Sequence, residues 1–443
     1  PAGFYAAQYI LKHLQGSHVD LIEKLPVPYG LVRFGVAPDH PEVKNVINTF
    51  RKTAENPCLK FYGNISLGTD VTLKELQENY HAVLLAYGAD KDKKFDLPNE
   101  DLLNVISARD FVAWYNGLPG AQTFNPDLSG ETVTLLGQGN VAIDVARILL
   151  SPISSLEKTD ITDYALDRLK ESRVKEVYLI GRRGPLQAAF TIKELREMLK
   201  LPGVSTIWRR NDFEGVNEIV SKLQRPRKRI TELMLKSLEE NQNIGQKKFI
   251  PIFFRSPIQI NANDNQIASV DYAINKLENE RAISTDAIEN IPTQLICRSI
   301  GYKSECLDHH LNFDNKNGCV SNVGGRVLKK QSNGADNSID IFEDKFETGL
   351  YVTGWLATGP TGVILSTMNS SFSVADVICK DFENNTIKAH ESKSGINFSK
   401  KCRPVTWEGW ERIDKVEIEK GMKGNKPREK ITDINEMLKI TGA

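Results

Sequence analysis

The sequence contains few cysteines, and no two of them have the spacing of a redox or metal-binding motif. This spacing argues against a dithiol redox centre, a zinc ribbon and an iron–sulfur cluster held by grouped cysteines. The low density also differs from that of small secreted domains held together by disulfides, so free thiols in a reducing compartment are expected. The six cysteines lie at positions 58, 297, 306, 319, 379 and 402.

Long hydrophobic runs and an excess of charge of one sign are also absent. No apolar run approaches the roughly 20 residues that span a bilayer, so a transmembrane segment is not expected, although peripheral membrane association stays open. The start resembles neither a signal peptide nor a basic transit segment. The 57 basic residues balance 57 acidic ones, which argues against nucleic acid as a partner but allows a local basic patch.

A glycine-rich loop in the middle of the chain is the most informative motif. It follows an apolar β-type run over residues 132–136, precedes a helical pattern, and with Ala142 fits G-x-G-x-x-A. The first glycine permits a tight turn, the second lets the backbone approach a pyrophosphate, and Ala142 lets the helix pack closely on the sheet. The N–H groups at the helix start then face the anion. The loop comprises Gly137, Gln138, Gly139 and Asn140.

Two arginines follow the next predicted strand, residues 175–181. A site for NAD would favour an acid here, because a carboxylate binds the ribose hydroxyls. Arg182 and Arg183 instead suit a 2′-phosphate, which a planar guanidinium binds through paired hydrogen bonds. A solvated arginine pair is the alternative interpretation. Because the pair follows a glycine fingerprint in register, we expect this site to bind NADPH.

The first residues indicate a second dinucleotide site. A short predicted strand, residues 18–24, ends in Glu23, which lies 20 positions after Gly3. That offset separates the last fingerprint glycine from the acid that binds the ribose. We therefore interpret Pro1, Ala2 and Gly3 as the end of a G-x-G-P-A-G loop whose first half precedes residue 1. The alternative is an ordinary helix with a surface acid.

A third glycine-rich loop suggests which dinucleotide the second site takes. Residues 349–354 read as a strand, and Trp355 and the loop ending at Gly362 precede a helix. The helix start could direct N–H groups at a flavin ring, although another packed strand–helix turn would look the same. An unphosphorylated-ribose site beside an NADPH site suggests a flavoprotein in which NADPH delivers hydride to FAD.

The order of elements predicts an α/β chain with parallel sheets, because buried strands alternate with helices. Further expectations, in chain order, are a helix over 42–55, a strand over 81–88, charged helical regions over 151–172 and 208–248, β-structure over 261–290, a strand over 294–301 and a surface insertion over 329–347.

These motifs together resemble the mitochondrial NADPH:adrenodoxin (ferredoxin) oxidoreductase family. The resemblance implies a fold with two Rossmann-like domains, as in glutathione reductase but without its dimerisation domain. The FAD domain would comprise 1–100 and 300–443, and the NADPH domain 101–299 would be inserted into it. The stretches that carry the resemblance are 31–41, 137–142, 181–185, 190–196 and 355–362.

The resemblance also implies the cofactor-binding residues, with Gly3 added from the N-terminal fingerprint. Those at FAD would be Ala2, Gly3, Glu23, Leu31, Leu67, Trp355, Gly362, Val363 and Ile364. Those at NADPH would be Gly137, Gln138, Gly139, Asn140, Arg182, Arg183 and Glu194. The family pattern brings His40 and Asp144 near the contact of flavin and nicotinamide, where they could relay a proton. The alternative is that His40 only caps a turn and that Asp144 only stabilises the N-terminus of its helix, where an acidic side chain is favourable.

We expect the flavin to pass its electrons to another protein, since no dithiol is available to accept them. In the family the acceptor is an acidic [2Fe–2S] ferredoxin, which supplies mitochondrial cytochrome P450 or iron–sulfur and haem biosynthesis. The expected docking residues are Arg225, Arg227, Lys228 and Arg229, although charge runs are often only solvated. The resemblance implies a monomer in the mitochondrial matrix or at the matrix face of the inner membrane.

Two other functions stay open at this point. One is a different flavoprotein with two dinucleotides, such as an electron-input subunit or a flavin monooxygenase, although input subunits usually carry grouped iron–sulfur cysteines. The other is a nucleotide-binding scaffold without catalysis.

Overall fold

A six-stranded parallel sheet organises the middle of the chain. The computed structural model describes residues 1–240, 245–330, 345–362, 364–387, 393–398 and 402–442. In spatial order, the strands of this sheet are Val105–Ser107, Leu295–Arg298, Thr132–Leu136, Glu176–Ile180, Lys247–Ile252 and Val204–Thr206. Because parallel strands need crossover connections, helices cover this sheet.

One face of the sheet packs against helices to form the largest apolar core. Val133, Leu135 and Leu179 point into this core, where they meet Ala142 and Ile143. Ala142 is fully buried, as expected for the small residue of the fingerprint. The α-helices of this region are Ala108–Tyr115, Asn140–Leu150, Ile153–Leu156, Asp163–Lys170, Ile192–Leu199, Val216–Ile219 and Arg225–Glu239.

The opposite face of the sheet is covered by three antiparallel strands. These strands are Arg255–Asn263, Gln266–Glu278 and Arg281–Pro292, which form one ribbon in chain order. Val270 and Tyr272 from the ribbon pack on Ile180 and Ile252 from the sheet. The ribbon confirms the β-structure expected over 261–290.

Both ends of the chain build the other half of the molecule. Val83–Leu85 pairs in parallel with Phe346–Val352, so strands from the two ends share one sheet. Asn322–Val323 and Arg326–Leu328 complete that sheet, and Val19–Ile22 pairs with Leu59–Tyr62. The short pairs are Lys91–Asp92 with Tyr302–Lys303, and Phe313–Asp314 with Cys319–Val320.

The helices of this half also combine both chain ends. Ala2–His13 packs on Ile364–Glu383, and Tyr9 Oη donates a hydrogen bond to Asp376 Oδ1 at 3.0 Å. The remaining helices are Leu31–Phe34, Pro41–Lys44, Val46–Ala54, Leu73–Asn79, Trp355–Thr358, Trp407–Lys423 and Ile434–Thr441. Among the helices described, none is both long enough and apolar enough to cross a bilayer.

The structure corrects several predicted boundaries. The helix expected over 42–55 is two helices that meet at Asn45, the N-cap of the second. The charged region 208–248 ends in a strand, Lys247–Ile252, rather than in helix. Within the expected insertion 329–347, residues 331–344 lie outside the described residues, and the strand Phe346–Val352 begins before its end.

A buried ionic cluster ties the C-terminal segment to the middle of the chain. Asp160 Oδ1 lies 2.6 Å from Lys44 Nζ, and Asp160 Oδ2 lies 2.9 Å from Lys430 Nζ. Although burial alone would raise the pKa of Asp160, the two ammonium groups hold it well below its usual range. Lys426 Nζ, in the same segment, lies 2.8 Å from Asp163 Oδ1. The two halves are therefore joined by ion pairs as well as by the chain.

Candidate functional site

A cleft of about 1870 Å³ runs between the two halves of the molecule. It contains most of the residues predicted from the sequence. Those that line it are Ala2, Gly3, Glu23, Leu31, His40, Leu67, Asn140, Asp144, Glu194, Trp355, Gly362 and Ile364. Gly137, Gln138, Gly139, Arg182 and Arg183 lie outside this lining, and Val363 lies outside the described residues.

The N-terminal helix begins at one wall of this cleft. Gly354 lies so close that a Cβ atom added to it would come within 3.0 Å of the Ala2 Cβ. Gly354 also has a φ of 66°, which favours glycine. Small residues at both positions therefore let a strand end and a helix start meet, as a dinucleotide loop requires.

Glu23 follows the strand Val19–Ile22 and faces the same cleft. Burial raises the pKa of its carboxyl, although a hydrogen bond from Leu25 N to Glu23 Oε1 at 3.2 Å opposes that shift. The next residue, Lys24, forms an ion pair with Asp90 at the rim. The carboxylate is therefore placed to accept hydrogen bonds from the hydroxyls of a ribose.

The floor of the cleft is apolar and partly exposed. Leu31 is 44% exposed and Leu365 is 61% exposed, although both are large hydrophobic side chains. Trp355 stacks on Tyr302 with ring centroids 5.9 Å apart and an angle of 22° between the planes. The loop before Ile364 turns at Gly362, whose φ is 83°. Exposed apolar side chains and an aromatic stack are suited to a flat ring system, so these residues fit an isoalloxazine.

The sequence analysis did not identify Tyr302. Only its position directly after Gly301, which closely follows the strand Leu295–Arg298, could have indicated it. Side chains at the carboxyl ends of parallel strands commonly line ligand sites.

The nucleotide loop holds its two glycines for different reasons. Gly137 has a φ of 119°, and a Cβ added there would lie 2.2 Å from the Ser299 carbonyl oxygen. Gly139 has no neighbouring atom within 4 Å of such a Cβ, so the space in front of it is open. Gln138 Nε2 donates to Ile252 O at 3.1 Å and fixes the loop over the sheet. Asn140 Oδ1 accepts a hydrogen bond from the backbone of the neighbouring helix start.

Arg182 and Arg183 follow the strand Glu176–Ile180 as predicted. Among the described residues, neither guanidinium forms an ion pair, and Arg182 is exposed. Their backbone is fixed by the ribbon, since Asn275 Nδ2 donates to Arg182 O at 2.8 Å. Two fixed cations without acidic partners are suited to a phosphate group.

The predicted basic patch divides between two faces of the helix Arg225–Glu239. Arg225 and Arg229 are exposed, and Lys228 Nζ lies 3.9 Å from Glu232 Oε1. Arg227 turns inward, where its Nη1 donates to Ala188 O at 2.7 Å.

The environment of Arg227 links the helix to the predicted nucleotide site. Burial and the nearby positive charge of Arg183 both lower the pKa of Arg227. Arg227 therefore lies beside the expected phosphate site rather than on the outer surface.

His40 meets the helix Ile192–Leu199 rather than Asp144. Its Nε2 lies 2.6 Å from Glu197 Oε2 and 3.9 Å from Glu194 Oε2. Glu194 was predicted from the resemblance, whereas Glu197 was not identified. The only indication in the sequence is its position three residues after Glu194, which places it on the same helix face.

Arg147 is a buried arginine at the centre of the same cluster, with a side chain only 3% exposed. Its Nε lies 2.5 Å from Asp39 Oδ2, its Nη2 lies 2.8 Å from Asp144 Oδ1, and its Nη1 lies 3.1 Å from Glu194 Oε2. Burial raises the pKa of Asp144 to about 7, although the charge of Arg147 opposes that shift. Arg147 therefore joins carboxylates from both halves of the molecule.

Two groups of side chains in the described ranges bring three metal-ligand atoms within 4.8 Å of one another. The first comprises Asp308, His309 and His310, of which both histidines are exposed. The second comprises His40, Glu194 and Glu197, where Arg147 already supplies a positive charge. No metal was predicted from the sequence.

Comparisons with known proteins give the family. No family model matches the chain. The NADPH:adrenodoxin oxidoreductases of Drosophila melanogaster and Homo sapiens are 58% and 47% identical to it, over the whole chain and over 92% and 90% of their own lengths. The structure of Mycobacterium tuberculosis FprA in complex with NADPH is 35% identical and has a TM-score of 0.90, covering 100% of this chain and 98% of FprA. The chain therefore belongs to the mitochondrial NADPH:adrenodoxin oxidoreductase family.

Proposed function

We propose that the chain is a mitochondrial flavoprotein that transfers electrons from NADPH, through FAD and one at a time, to an acidic [2Fe–2S] ferredoxin of the adrenodoxin type. The observation that carries this proposal is a single cleft lined by the dinucleotide-type residues of one half and by Asn140, Asp144 and Glu194 of the other. The family membership supports the same reaction, because its members are named for NADPH and adrenodoxin.

FAD would lie along the half that is built from the two chain ends. Glu23 would bind the ribose of its adenosine, and the start of the helix Ala2–His13 would face its pyrophosphate. Leu31, Trp355 and the residues from Gly362 to Ile364 would contact its ring system. Bound there, FAD supplies the capacity to take a hydride and release two electrons singly.

NADPH would bind over the loop of Gly137 and Gly139, with its 2′-phosphate at Arg182 and Arg183. The open space in front of Gly139 supports this placement, because the second glycine of the fingerprint allows the closest backbone approach. Asn140 and Glu194 face the cleft and would direct the nicotinamide end towards the flavin. These residues contribute mainly orientation, which hydride transfer requires.

His40 and Asp144 would hold the proton that accompanies flavin reduction. A carboxyl whose pKa is about 7 exchanges protons readily near neutral pH, which suits this role. The path between them would run through Glu194 and Glu197, since His40 lies closest to Glu197.

The ferredoxin would dock on the exposed cations of the helix Arg225–Glu239. Arg225, Lys228 and Arg229 would steer an acidic partner, because a local patch attracts it even when net charge is zero. Arg227, half-buried beside Arg183, would act mainly at the NADPH site. We further propose a monomer in the mitochondrial matrix or at the matrix face of the inner membrane, which supplies cytochrome P450 or iron–sulfur and haem biosynthesis.

An absorption spectrum with anaerobic reduction tests this function. The purified full-length protein should be yellow, NADPH should bleach its flavin bands much faster than NADH, and a [2Fe–2S] ferredoxin should then be reduced over many turnovers. A colourless protein would indicate a scaffold without catalysis. A flavin that NADPH reduces but that passes no electrons to any ferredoxin would indicate another flavoprotein class.

A further inference from the structure

We propose that Arg147 is a positioning residue, which aligns the two halves for hydride transfer by holding the Asp39 and His40 loop against Asp144 and Glu194. This proposal rests on the proposed function. Arg147 itself contacts neither dinucleotide in this assignment, and acts through the carboxylates it binds.

The side chain of Arg147 forms hydrogen bonds to carboxylates of both halves of the molecule. Its guanidinium binds Asp39 through two bonds, with Nε at 2.5 Å from Oδ2 and Nη2 at 3.1 Å from Oδ1. Asp39 belongs to the half built from the chain ends, whereas Asp144 and Glu194 belong to the inserted half. The guanidinium has five donors and makes four bonds to these three carboxylates, whereas an ammonium has only three donors.

The loop that Arg147 holds carries residues of the cleft at both of its ends. Leu31 lies on the cleft floor at one end, and His40 faces the cleft at the other. His40 N donates to Ala37 O at 3.0 Å, so the loop is internally braced. Arg147, on the helix Asn140–Leu150 of the other half, donates two hydrogen bonds to Asp39 and so connects the loop to that helix. Loss of the bond between Arg147 and Asp39 would therefore shift the cleft floor at Leu31 relative to the residues that would bind the nicotinamide.

Charge in the cluster explains why an arginine is needed. Four carboxylates, Asp39, Asp144, Glu194 and Glu197, lie within 4.0 Å of Arg147, which is the only buried arginine or lysine paired with them in the described part of the chain. Glu197 also lies 3.9 Å from the half-exposed Lys193. Without Arg147, buried carboxylates would lose their main countercharge, and a proton would have to replace it.

The groups that face Asp144 define the expected pH effect. Arg147 and His40 favour its charged form, whereas Glu194 disfavours it. Tyr115 and Tyr302 also lie near enough to Asp144 to feel its charge. Loss of Arg147 therefore removes the largest opposition to protonation, so the pKa of Asp144 should rise.

The test compares Arg147→Lys and Arg147→Gln with wild type by stopped-flow reduction of the flavin by NADPH between pH 5.5 and about pH 9. We expect the rate at saturating NADPH to fall about 10-fold or more in Arg147→Gln, while the Kd for NADPH changes less than about 3-fold. The midpoint of the pH profile should move up by about one unit or more. Arg147→Lys should restore the midpoint but only part of the rate, since it keeps the charge without the planar fork.

Arg326→Gln is the matched control, because Arg326 also holds one aspartate, Asp381, through two bonds of 2.6 and 2.8 Å. It should change thermal stability without changing the pH profile. Asp39→Asn is a second route to the same loss of alignment if Arg147→Gln folds poorly, and it should slow reduction without an equal change in the pH midpoint.

The outcomes separate this proposal from the function on which it rests. If NADPH does not reduce the wild-type flavin, the proposed function fails and Arg147 loses its role. If wild type is reduced normally, while the Arg147 and Asp39 variants keep its rate and pH profile or lose only stability as Arg326→Gln does, the positioning role alone is wrong.

Discussion

At the scale of single residues, Gly137 and Gly139 illustrate two different requirements for glycine. Gly137 needs its positive φ and lies against the backbone of Ser299, so its role is in the fold. Gly139 has ordinary extended backbone angles, φ −91° and ψ 175°, and open space in front of it, so the fold alone does not require glycine there. Its requirement would come from the ligand.

The two alanine variants should therefore behave differently. Gly137→Ala should destabilise the protein by about 2 kcal/mol or more, since it combines strain with a backbone clash. Gly139→Ala should change stability by less than about 1 kcal/mol but raise the KM for NADPH about 10-fold. Thermal unfolding and steady-state kinetics measure both effects. An unchanged KM in Gly139→Ala would contradict the placement of the pyrophosphate.

Arg182 and Arg183 should set the preference for NADPH over NADH. Each charge-assisted hydrogen bond to a phosphate contributes about 1.5–3 kcal/mol, so either alanine variant should raise the KM for NADPH about 10- to 100-fold. The KM for NADH should stay nearly constant, since NADH lacks the 2′-phosphate. Arg173→Ala, an exposed arginine just before the same strand, is the control and should change neither value. A parallel loss with both nucleotides would exclude a 2′-phosphate site here.

Single residues were predictable from the sequence where a local motif fixes their position. Gly137, Arg182 and Glu23 lie within two residues of the ends of strands, so their positions could be predicted from spacing alone. Arg147 and Glu197 were not predictable, because their roles depend on carboxylates and a histidine that tertiary structure brings near. The family membership confirms the expected enzyme class and the use of FAD and NADPH.

At the scale of elements, the helix Arg225–Glu239 shows how periodicity reorganises a run of charge. Successive residues on a helix are turned by about 100°, so Arg225 and Arg229 share a face while Arg227 points nearly the opposite way. The run predicted one patch, whereas the helix divides it between an exposed face and a buried contact. The position of each residue around the helix axis separates Arg227 from Arg225 and Arg229, and the sequence prediction did not take this position into account.

Reversing the exposed charges should weaken ferredoxin docking alone. Arg225→Glu with Arg229→Glu should raise the KM for an acidic ferredoxin by about 10-fold or more at low salt, with a smaller effect at high salt. Flavin reduction by NADPH should stay unchanged, whereas Arg227→Glu should also impair it. Lys74→Glu makes the same charge change at an exposed site of the other half and serves as control. Loss of flavin reduction in the double variant would contradict the docking assignment.

Elements were predicted best where strands are long and apolar. The strands around 132–136 and 175–181 were found nearly to the residue because burial on both faces gives continuous apolar runs. The edge strands Val105–Ser107 and Val204–Thr206 were not predicted, since three residues carry too little pattern. The helix break at Asn45 depends on packing and was likewise missed.

At the scale of the whole molecule, the two halves are held together by a buried aspartate between two lysines. Asp160 lies between Lys44 and Lys430, and the Lys430 side chain is only 1% exposed. Because these ammonium groups lower the pKa of Asp160, its stabilising effect is present above its unfolded pKa. This contribution is lost as pH falls towards its lowered folded value. The ion pair therefore predicts weaker attachment of the halves in acid.

Asp160→Asn should loosen this attachment strongly. The variant leaves two buried ammonium groups without their counterion, which costs about 3–5 kcal/mol. Calorimetry at neutral pH should show a lower unfolding temperature than in wild type. Asp163→Asn, at the start of the following helix, is the control, because Asp163 is 66% exposed and its partner Lys426 also pairs with Glu429. If both variants lowered the unfolding temperature equally, the burial of Asp160 would not be the reason for its stabilising effect.

The pairing of strands from distant parts of the chain imposes an order of assembly on the growing chain. All six strands of the central sheet lie between residues 105 and 298, so that unit can close once these residues have been synthesised. In contrast, Val83 can pair with Leu350 only after most of the chain has been synthesised. The same holds for the packing of the helix Ala2–His13 on the helix Ile364–Glu383. Some apolar side chains of the first hundred residues, such as Phe4 and Tyr29 against Trp407, therefore lack part of their final packing through most of translation. We therefore expect the half built from both chain ends to need chaperones during synthesis more than the central sheet does.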